Sequence, residues 1–130
     1  MKIYFRNKKL KKDILNEKNL RKEYGPEMAR LIKLRITQLE SASFLDEIRN
    51  LPRVRCHELN RPLKGVFSVD LVHPQRFLFI SVLIDGKKDI SGELKNADGG
   101  LDWQKITAIE VVGIGDTHDP KCVKRFKGVL

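Results

Sequence analysis

Hydrophobic and polar positions follow two different periods along the chain. In the first third, apolar residues recur at helical spacing in two stripes, from Leu10 to Tyr24 and from Met28 to Leu39. Asn7 is a good cap for the first helix, and Pro26 suits the first position of the second. We therefore predict a two-helix hairpin near the start of the chain.

A period of two, typical of strands, precedes and follows these helices. Residues Lys2 to Arg6 predict a short first strand. Further strands are predicted at Val54–Leu59, Gly65–Leu71, Arg76–Ile84 and Ile106–Gly115. The second and third of these four are joined by a short turn around Pro74, which favours an antiparallel hairpin. The run from Phe77 to Ile84 is apolar on both faces, as expected of a central strand.

The order of these elements predicts an α+β domain. The N-terminal strand and the two-helix hairpin, with a short third helix that ends before Pro52, would lie on one face of a twisted, mainly antiparallel sheet of four to five strands. The opposite face would be left for a ligand. With 130 residues, 41% of them hydrophobic, residues 1–130 fit a single domain. No apolar run approaches the roughly 20 residues of a membrane span, so we expect a cytoplasmic protein without membrane contact.

Charge is distributed unevenly along the chain. The net charge of +9 comes from 26 Lys and Arg side chains against 17 Asp and Glu. Residues 1–35 hold twelve basic and four acidic side chains, and a basic tail at 119–130 adds four more Lys and Arg. Residues 85–119 hold eight acidic and four basic ones. This pattern favours a polyanionic partner such as RNA, although lysine-rich helices are equally common as solvated surfaces.

Two histidines are the best candidates for proton transfer. Cleavage of RNA by its own ribose 2′-hydroxyl needs a base, an acid and cations near the phosphate. Imidazole suits the proton steps because its unperturbed pKa is about 6.5, and Arg or Lys suits the phosphate. His57 has Arg55 and Arg61 close in sequence, Arg76 begins the central strand, and His118 follows the last one. No standard metal or nucleotide motif is present, so we predict no metal and no cofactor.

Each of these residues also has a purely structural interpretation. His57 can be an ordinary surface imidazole on a strand, and His73 is better explained as a turn residue beside Pro74. Arg76 can pair with Asp70 across the predicted hairpin. Composition alone therefore leaves the choice between an enzyme and a binding protein open.

The order of several short motifs resembles a known family of toxins. The chain shows a histidine-leucine segment, a Lys-Gly before an aromatic strand, an Arg-led apolar strand and a terminal Asp-x-His. These motifs are His57-Glu58-Leu59, Lys64-Gly65-Val66-Phe67, Arg76-Phe77-Leu78-Phe79 and Asp116-Thr117-His118. In order and spacing they resemble the HigB or "killer protein" branch of the RelE/ParE toxin superfamily, and the resemblance runs from Lys2 to His118.

The resemblance implies a function, partners and site residues. The fold would be RelE-like, and the activity would be ribosome-dependent cleavage of messenger RNA by metal-free attack of the 2′-hydroxyl. A HigA-like helix-turn-helix antitoxin would neutralise the toxin, and the ribosome with its message would be the other partners. The implied catalytic residues are His57, Lys64, Arg76, Asp116 and His118. Among them, His118 would transfer the proton, and His57 would assist it or position the substrate. Arg76 and Lys64 would hold the scissile phosphate, and Asp116 would orient His118.

RNA contacts beyond this set are expected from basic residues on both sides of the domain. The candidates are Arg55, Arg61, Lys11, Lys12, Arg21 and Lys22. The acidic loop at 85–104 looks like an insertion in the family's plan.

Two alternatives remain open at the level of sequence. The first is a gyrase inhibitor of the ParE kind, which has no hydrolytic site and therefore no need of His57 and His118. The second is a non-catalytic RNA-binding or regulatory protein on the same scaffold. Thr117 favours this second alternative, because many members of the family have Tyr there, and a threonine can neither stack on a base nor supply a phenolic proton.

Overall fold

The computed structural model describes all residues, Met1–Leu130, as a mixed five-stranded sheet with helices. Its elements are β1 (Lys2–Phe5), α1 (Lys8–Leu15), α2 (Glu17–Tyr24), α3 (Pro26–Ser41), a 3-10 helix (Leu45–Ile48), β2 (His57–Glu58), β3 (Val66–Asp70), β4 (Arg76–Val82), β5 (Ala108–Gly115) and α4 (Pro120–Phe126). The strand order is β1-β5-β4-β3-β2, with β1 parallel to β5 and all other pairs antiparallel. The predicted α+β class, the β3–β4 hairpin and the central position of β4 are confirmed. None of the helices has the length and apolar composition of a membrane span.

Helices α1 and α3 begin at the residues that the sequence marks as helix starts. The side-chain oxygen of Asn7 accepts a hydrogen bond from the backbone N–H of Leu10 (2.8 Å), and Pro26 opens α3, as predicted. Asn16 divides the predicted helical stretch from Leu10 to Tyr24 into two helices, α1 and α2. Asn16 has an extended backbone, and its side chain accepts a hydrogen bond from the N–H of Asn19 (3.0 Å), so it ends α1 and caps α2.

One face of the sheet, here called the helix face, carries the main core. Apolar side chains of α1, α2 and α3 pack there against alternate residues of the strands in a cluster of 20 buried residues. The rings of Phe67 and Phe79 stack at 5.7 Å between centroids, and Trp103 meets Phe67 edge-on at 5.1 Å. This arrangement agrees with the predicted packing of the helices on one face.

The other face, here called the site face, is only partly open. A smaller cluster of nine buried residues covers part of it, and α4 supplies Phe126 to that cluster. Two glycines of β5 make room for this helix. A Cβ on Gly113 would lie 2.6 Å from the Phe126 ring, and one on Gly115 would lie 2.5 Å from Cys122 Sγ. The prediction that this face is left free for a ligand is therefore wrong where α4 packs, and residues 119–130 include a helix.

One predicted strand is much shorter in the structure than expected. The strand expected at Val54–Leu59 is reduced to His57–Glu58 because Arg53 and Arg55 have φ values of 66° and 51°, which interrupt extended backbone. Val54 still joins β3 locally, since its carbonyl accepts a hydrogen bond from Asp70 N–H (2.8 Å). The loop at 85–104 contains only an isolated bridge between Lys95 and Leu101.

Candidate active site

A cavity of about 230 Å³ lies at the end of the sheet where β4 begins and β5 ends. It draws its lining from four segments that are distant in sequence: β2 with the turn after it, the start of β4, the residues after β5, and α4. The lining residues are His57, Leu59, Asn60, Arg61, Pro62, Leu63, Arg76, Thr117, His118 and Val123. Two imidazoles and two guanidinium groups therefore face one space that is open to solvent.

Sheet register explains why His57 and Arg76 meet. His57 pairs with Ser68, and Ser68 pairs with Leu78, so these side chains share the site face across three strands. Arg76 precedes Leu78 by two residues and therefore projects from the same face. The register thus converts a separation of 19 residues in sequence into a direct contact.

The imidazole of His57 is engaged at both nitrogens. Nδ1 lies 2.9 Å from the backbone oxygen of Arg55, which can only accept, so Nδ1 carries the proton. Nε2 then accepts a hydrogen bond from Arg76 Nη1 at 3.2 Å. Through this contact His57 holds the guanidinium of Arg76 in place.

Asp70 faces the same guanidinium from β3. Asp70 and Arg76 are partners in the hairpin, and Asp70 Oδ1 lies 3.9 Å from Arg76 Nε. Asp70 Oδ2 also lies 3.6 Å from Arg55 Nη1. The ion pair that the sequence offered as the structural interpretation of Arg76 therefore exists, yet Arg76 also lines the cavity. With its side chain only 15% exposed, Arg76 is a fixed positive charge at the wall.

Arg35 of α3 contacts the backbone of the same region through hydrogen bonds. It is buried in α3, its Nε donates to the backbone oxygen of Asp70 (2.7 Å), and its Nη2 donates to that of Arg53 (3.2 Å). Burial lowers the pKa of the Arg35 guanidinium below its ordinary value. Sequence reasoning missed this role, because Arg35 sits within the apolar stripe of the second predicted helix and has no local signal.

His118 differs from His57 because its imidazole makes no hydrogen bond within the protein. It is exposed at the rim of the cavity, two residues into the turn after β5. Asp116 Oδ1 accepts a hydrogen bond from the backbone N–H of His118 at 2.9 Å. Asp116 therefore fixes the turn that carries His118, and it does not contact the ring. Both ring nitrogens of His118 are therefore available to a bound molecule.

The remaining member of the implied catalytic set, Lys64, lies elsewhere. Its ammonium is 3.8 Å from Glu58 Oε2, and it lines a second cavity on the other side of the segment 57–65. The structure thus brings His57, Arg76 and His118 to one space and places Asp116 beside it, with Lys64 outside.

The predicted RNA-binding residues also divide into two groups. Arg61 lines the cavity, and Arg55 holds His57 through its backbone oxygen. The other four residues lie on α1 and α2, which pack on the opposite face of the sheet: Lys11, Lys12, Arg21 and Lys22. The two groups therefore lie on opposite sides of the sheet.

Sequence reasoning missed the α4 residue Val123 as part of the cavity wall. A signal for α4 is present in the chain. Asp119 accepts a hydrogen bond from the N–H of Lys121 (2.9 Å), and Pro120 occupies the first helical turn, so Asp-Pro marks the start of the helix.

No protein-family model matches the chain, and no curated protein matches it. No group of three or more His, Cys, Asp or Glu side chains is placed to hold a metal ion.

Proposed function

We propose that this protein is a toxin of the HigB branch of the RelE/ParE superfamily and cleaves messenger RNA on the ribosome. The observation that supports this most is the shared lining of one cavity by His57, Arg76 and His118. RNA cleavage through the 2′-hydroxyl needs proton transfer and a cation at the phosphate, and these three side chains supply both.

In the proposed reaction His118 is the base. Its unbonded imidazole takes the proton of the ribose 2′-hydroxyl, and the 2′-oxygen attacks the neighbouring phosphorus. The bond from phosphorus to the 5′-oxygen breaks, and that oxygen takes a proton from a water molecule in the open cavity. The hydroxide that this leaves takes up the proton held by His118, which restores the base. The products are a 2′,3′-cyclic phosphate and a 5′-hydroxyl.

Arg76 stabilises the charge that develops on the phosphate oxygens. A guanidinium offers several N–H donors in a fixed plane, and His57 and Asp70 hold this plane from two sides. His57 acts here as a positioning residue, because its Nε2 is already the acceptor for Arg76 Nη1. Arg61, also in the wall, adds a second positive charge for the RNA backbone.

The test is cleavage of a translated message in a cell extract, read as defined 5′ ends. We expect the native chain to cut, and His118→Ala and Arg76→Ala to lower cutting by at least about a hundredfold, because each removes a group that acts only in the transition state. His73→Ala is the matched control. His73 is the third histidine, is exposed in the β3–β4 turn and does not line the cavity.

Other outcomes point to the alternative functions. An intact message together with impaired DNA supercoiling supports a gyrase inhibitor of the ParE kind. An intact message with normal supercoiling and salt-sensitive RNA binding supports a non-catalytic RNA-binding protein. Circular dichroism of each variant establishes that lost activity is not lost folding.

The proposal also includes an inhibitor. A neighbouring reading frame that encodes a small HigA-like helix-turn-helix protein would supply the antitoxin, and co-expression of that protein should restore growth. Growth inhibition that such a partner leaves unchanged argues against this part of the proposal.

A further inference from the structure

A second cavity, of about 300 Å³, lies between the start of β3, the end of β4 and the loop at 85–104. Three lysines contribute to its wall: Lys64, Lys88 and Lys95. Two of them come from the loop that the toxin resemblance does not account for. Nothing in the proposed reaction uses this cavity.

The two cavities share one wall, the segment 57–65. Along this segment His57 and residues 59–63 line the first cavity, whereas Glu58, Lys64 and Gly65 line the second. A single polynucleotide strand that enters the first cavity and crosses this segment therefore meets Lys64 next. Although Lys64 lies outside the first cavity, it is therefore positioned to contact the part of the RNA that leaves that cavity.

The two carboxylates in the second cavity are already engaged by the backbone. Glu58 Oε2 accepts a hydrogen bond from Gly65 N–H at 3.0 Å. The Asp89 oxygens accept from the N–H groups of Glu93 and Leu94 at 2.8 and 2.9 Å. Glu58 Oε2 also lies 3.8 Å from Lys64 Nζ, which is too far for a hydrogen bond, so the ammonium groups keep donors for an anion.

One of the two loop lysines, Lys88, already contacts an oxygen acceptor. The ammonium of Lys88 donates a hydrogen bond to the backbone oxygen of Leu130, and the Leu130 side chain lies over Gly65. The contact shows that an oxygen acceptor in this cavity comes within reach of Lys88, and a bound phosphate would take the place of this acceptor.

We propose that the second cavity is a subsite for a phosphate that flanks the scissile one in single-stranded RNA. Lys64, Lys88 and Lys95 bind this phosphate, and the acidic loop at 85–104 serves to carry two of them. This inference rests on RNA being the substrate, as proposed above. It moves Lys64 from the scissile phosphate to a neighbouring one and makes binding depend on RNA length.

The experiment measures binding of an eight-nucleotide 2′-O-methyl RNA, which cannot be cleaved, at several salt concentrations. The triple variant Lys64→Ala, Lys88→Ala, Lys95→Ala should bind roughly tenfold more weakly at low salt. The slope of log affinity against log salt should fall by about 0.7 for each phosphate that the removed lysines had neutralised. A dinucleotide, which fills only the first cavity, should bind both proteins equally.

Lys87→Ala is the matched control, because Lys87 precedes Lys88 and is exposed but does not line the cavity. It should leave the salt slope unchanged. An unchanged slope in the triple variant overturns the subsite, and so does an equal loss of affinity for the dinucleotide. Binding of hexaglutamate in place of RNA, abolished in the triple variant, also overturns it and indicates an acidic protein segment as the ligand.

Failure of the subsite and failure of the nuclease give different results. If the native chain cuts message but the triple variant keeps its salt slope, the subsite is wrong and the nuclease stands. If the native chain cuts nothing but the triple variant loses the length-dependent affinity, the subsite stands as part of an RNA-binding groove and the nuclease is wrong.

Discussion

The helix face and the site face of the sheet are covered to different extents, and the candidate chemistry lies on the less covered one. Three helices cover the helix face with a cluster of 20 buried residues. The site face has nine buried residues and the seven-residue helix α4. Where that cover ends, the polar groups of His57, Arg76 and His118 reach solvent.

This difference explains how a small domain combines stability with an open polar site. Burial of large side chains on the helix face contributes most of the stability, because stabilisation follows the apolar area removed from water. The site face then tolerates a cavity lined with charges. Asp70 connects the faces, since its carboxylate approaches Arg76 while its backbone oxygen accepts from Arg35 of α3.

The largest expected effect is on the helix face. Phe67→Ala removes a fully buried ring that contacts Phe79 and Trp103, and should lower the free energy of unfolding by about 3 to 5 kcal/mol. On the site face, Phe126→Ala should cost less, about 2 kcal/mol, because α4 can unfold locally. Urea denaturation followed by circular dichroism compares the two. Equal losses would contradict the division between the faces.

A smaller effect is expected from closing the space under α4. Gly115→Ala places a methyl group against Cys122 and should cost about 1 to 3 kcal/mol by pushing the helix away. Adding Cys122→Ala should restore most of this loss, which a double-mutant cycle measures. Gly128→Ala, where a Cβ meets open space, is the control. Without recovery in the double variant, steric contact between β5 and α4 is not the cause.

Basic residues on the helix face should affect ribosome binding without affecting the cavity. Replacing four basic residues of α1 and α2 by Glu, which reverses their charge, should weaken co-sedimentation with ribosomes by about tenfold, or about 1.4 kcal/mol. The residues are Lys11, Lys12, Arg21 and Lys22. Unchanged co-sedimentation would assign these residues to a solvated surface.

The smallest effect is expected for the reactivity of the two thiols, one of which lies on each face of the sheet. Cys56 is buried in the helix-face cluster, and burial raises the pKa of its thiol to about 12. Burial also raises the pKa of Cys122, which lies on the site face and is only partly buried. At pH 8 a disulfide reagent should therefore react first with Cys122, as the single variants Cys56→Ala and Cys122→Ala can establish.

The pH dependence of Cys56 follows from the same burial. Because the thiolate is the reactive form and the pKa is raised, the reaction rate of Cys56 should grow about tenfold per pH unit until pH approaches 12. The neutral thiol is favoured in the folded state, so its contribution to stability is complete below the unfolded pKa and is lost as pH rises toward 12. A rate that levels off near pH 9 would contradict the burial.

Local patterns predicted much of the fold. The run from Phe77 to Ile84 is apolar on both faces, and β4 is indeed the middle strand with cores on both sides. Pro26 does begin a helix, because its fixed φ suits the first turn. Such features depend on neighbours in sequence, and for this reason they could be predicted.

The features that sequence did not reveal depend on contacts between distant residues. Positive φ at Arg53 and Arg55, which shortens β2, accompanies hydrogen bonds from Arg35 and His57 to their carbonyls. Lys64 is close to His57 in sequence but lines the other cavity, a difference that its position along the chain does not reveal. The pairing of His57 with Arg76 required the strand register.

The most direct test of the proposed reaction is cleavage of a ribosome-bound message that carries a single 2′-deoxy nucleotide on the 5′ side of the cut. We predict that this substitution abolishes cutting at that position, and that the unmodified message yields a 2′,3′-cyclic phosphate and a 5′-hydroxyl. Cutting that persists at the 2′-deoxy position, or products with a 5′-phosphate, would contradict attack by the 2′-hydroxyl with His118 as base.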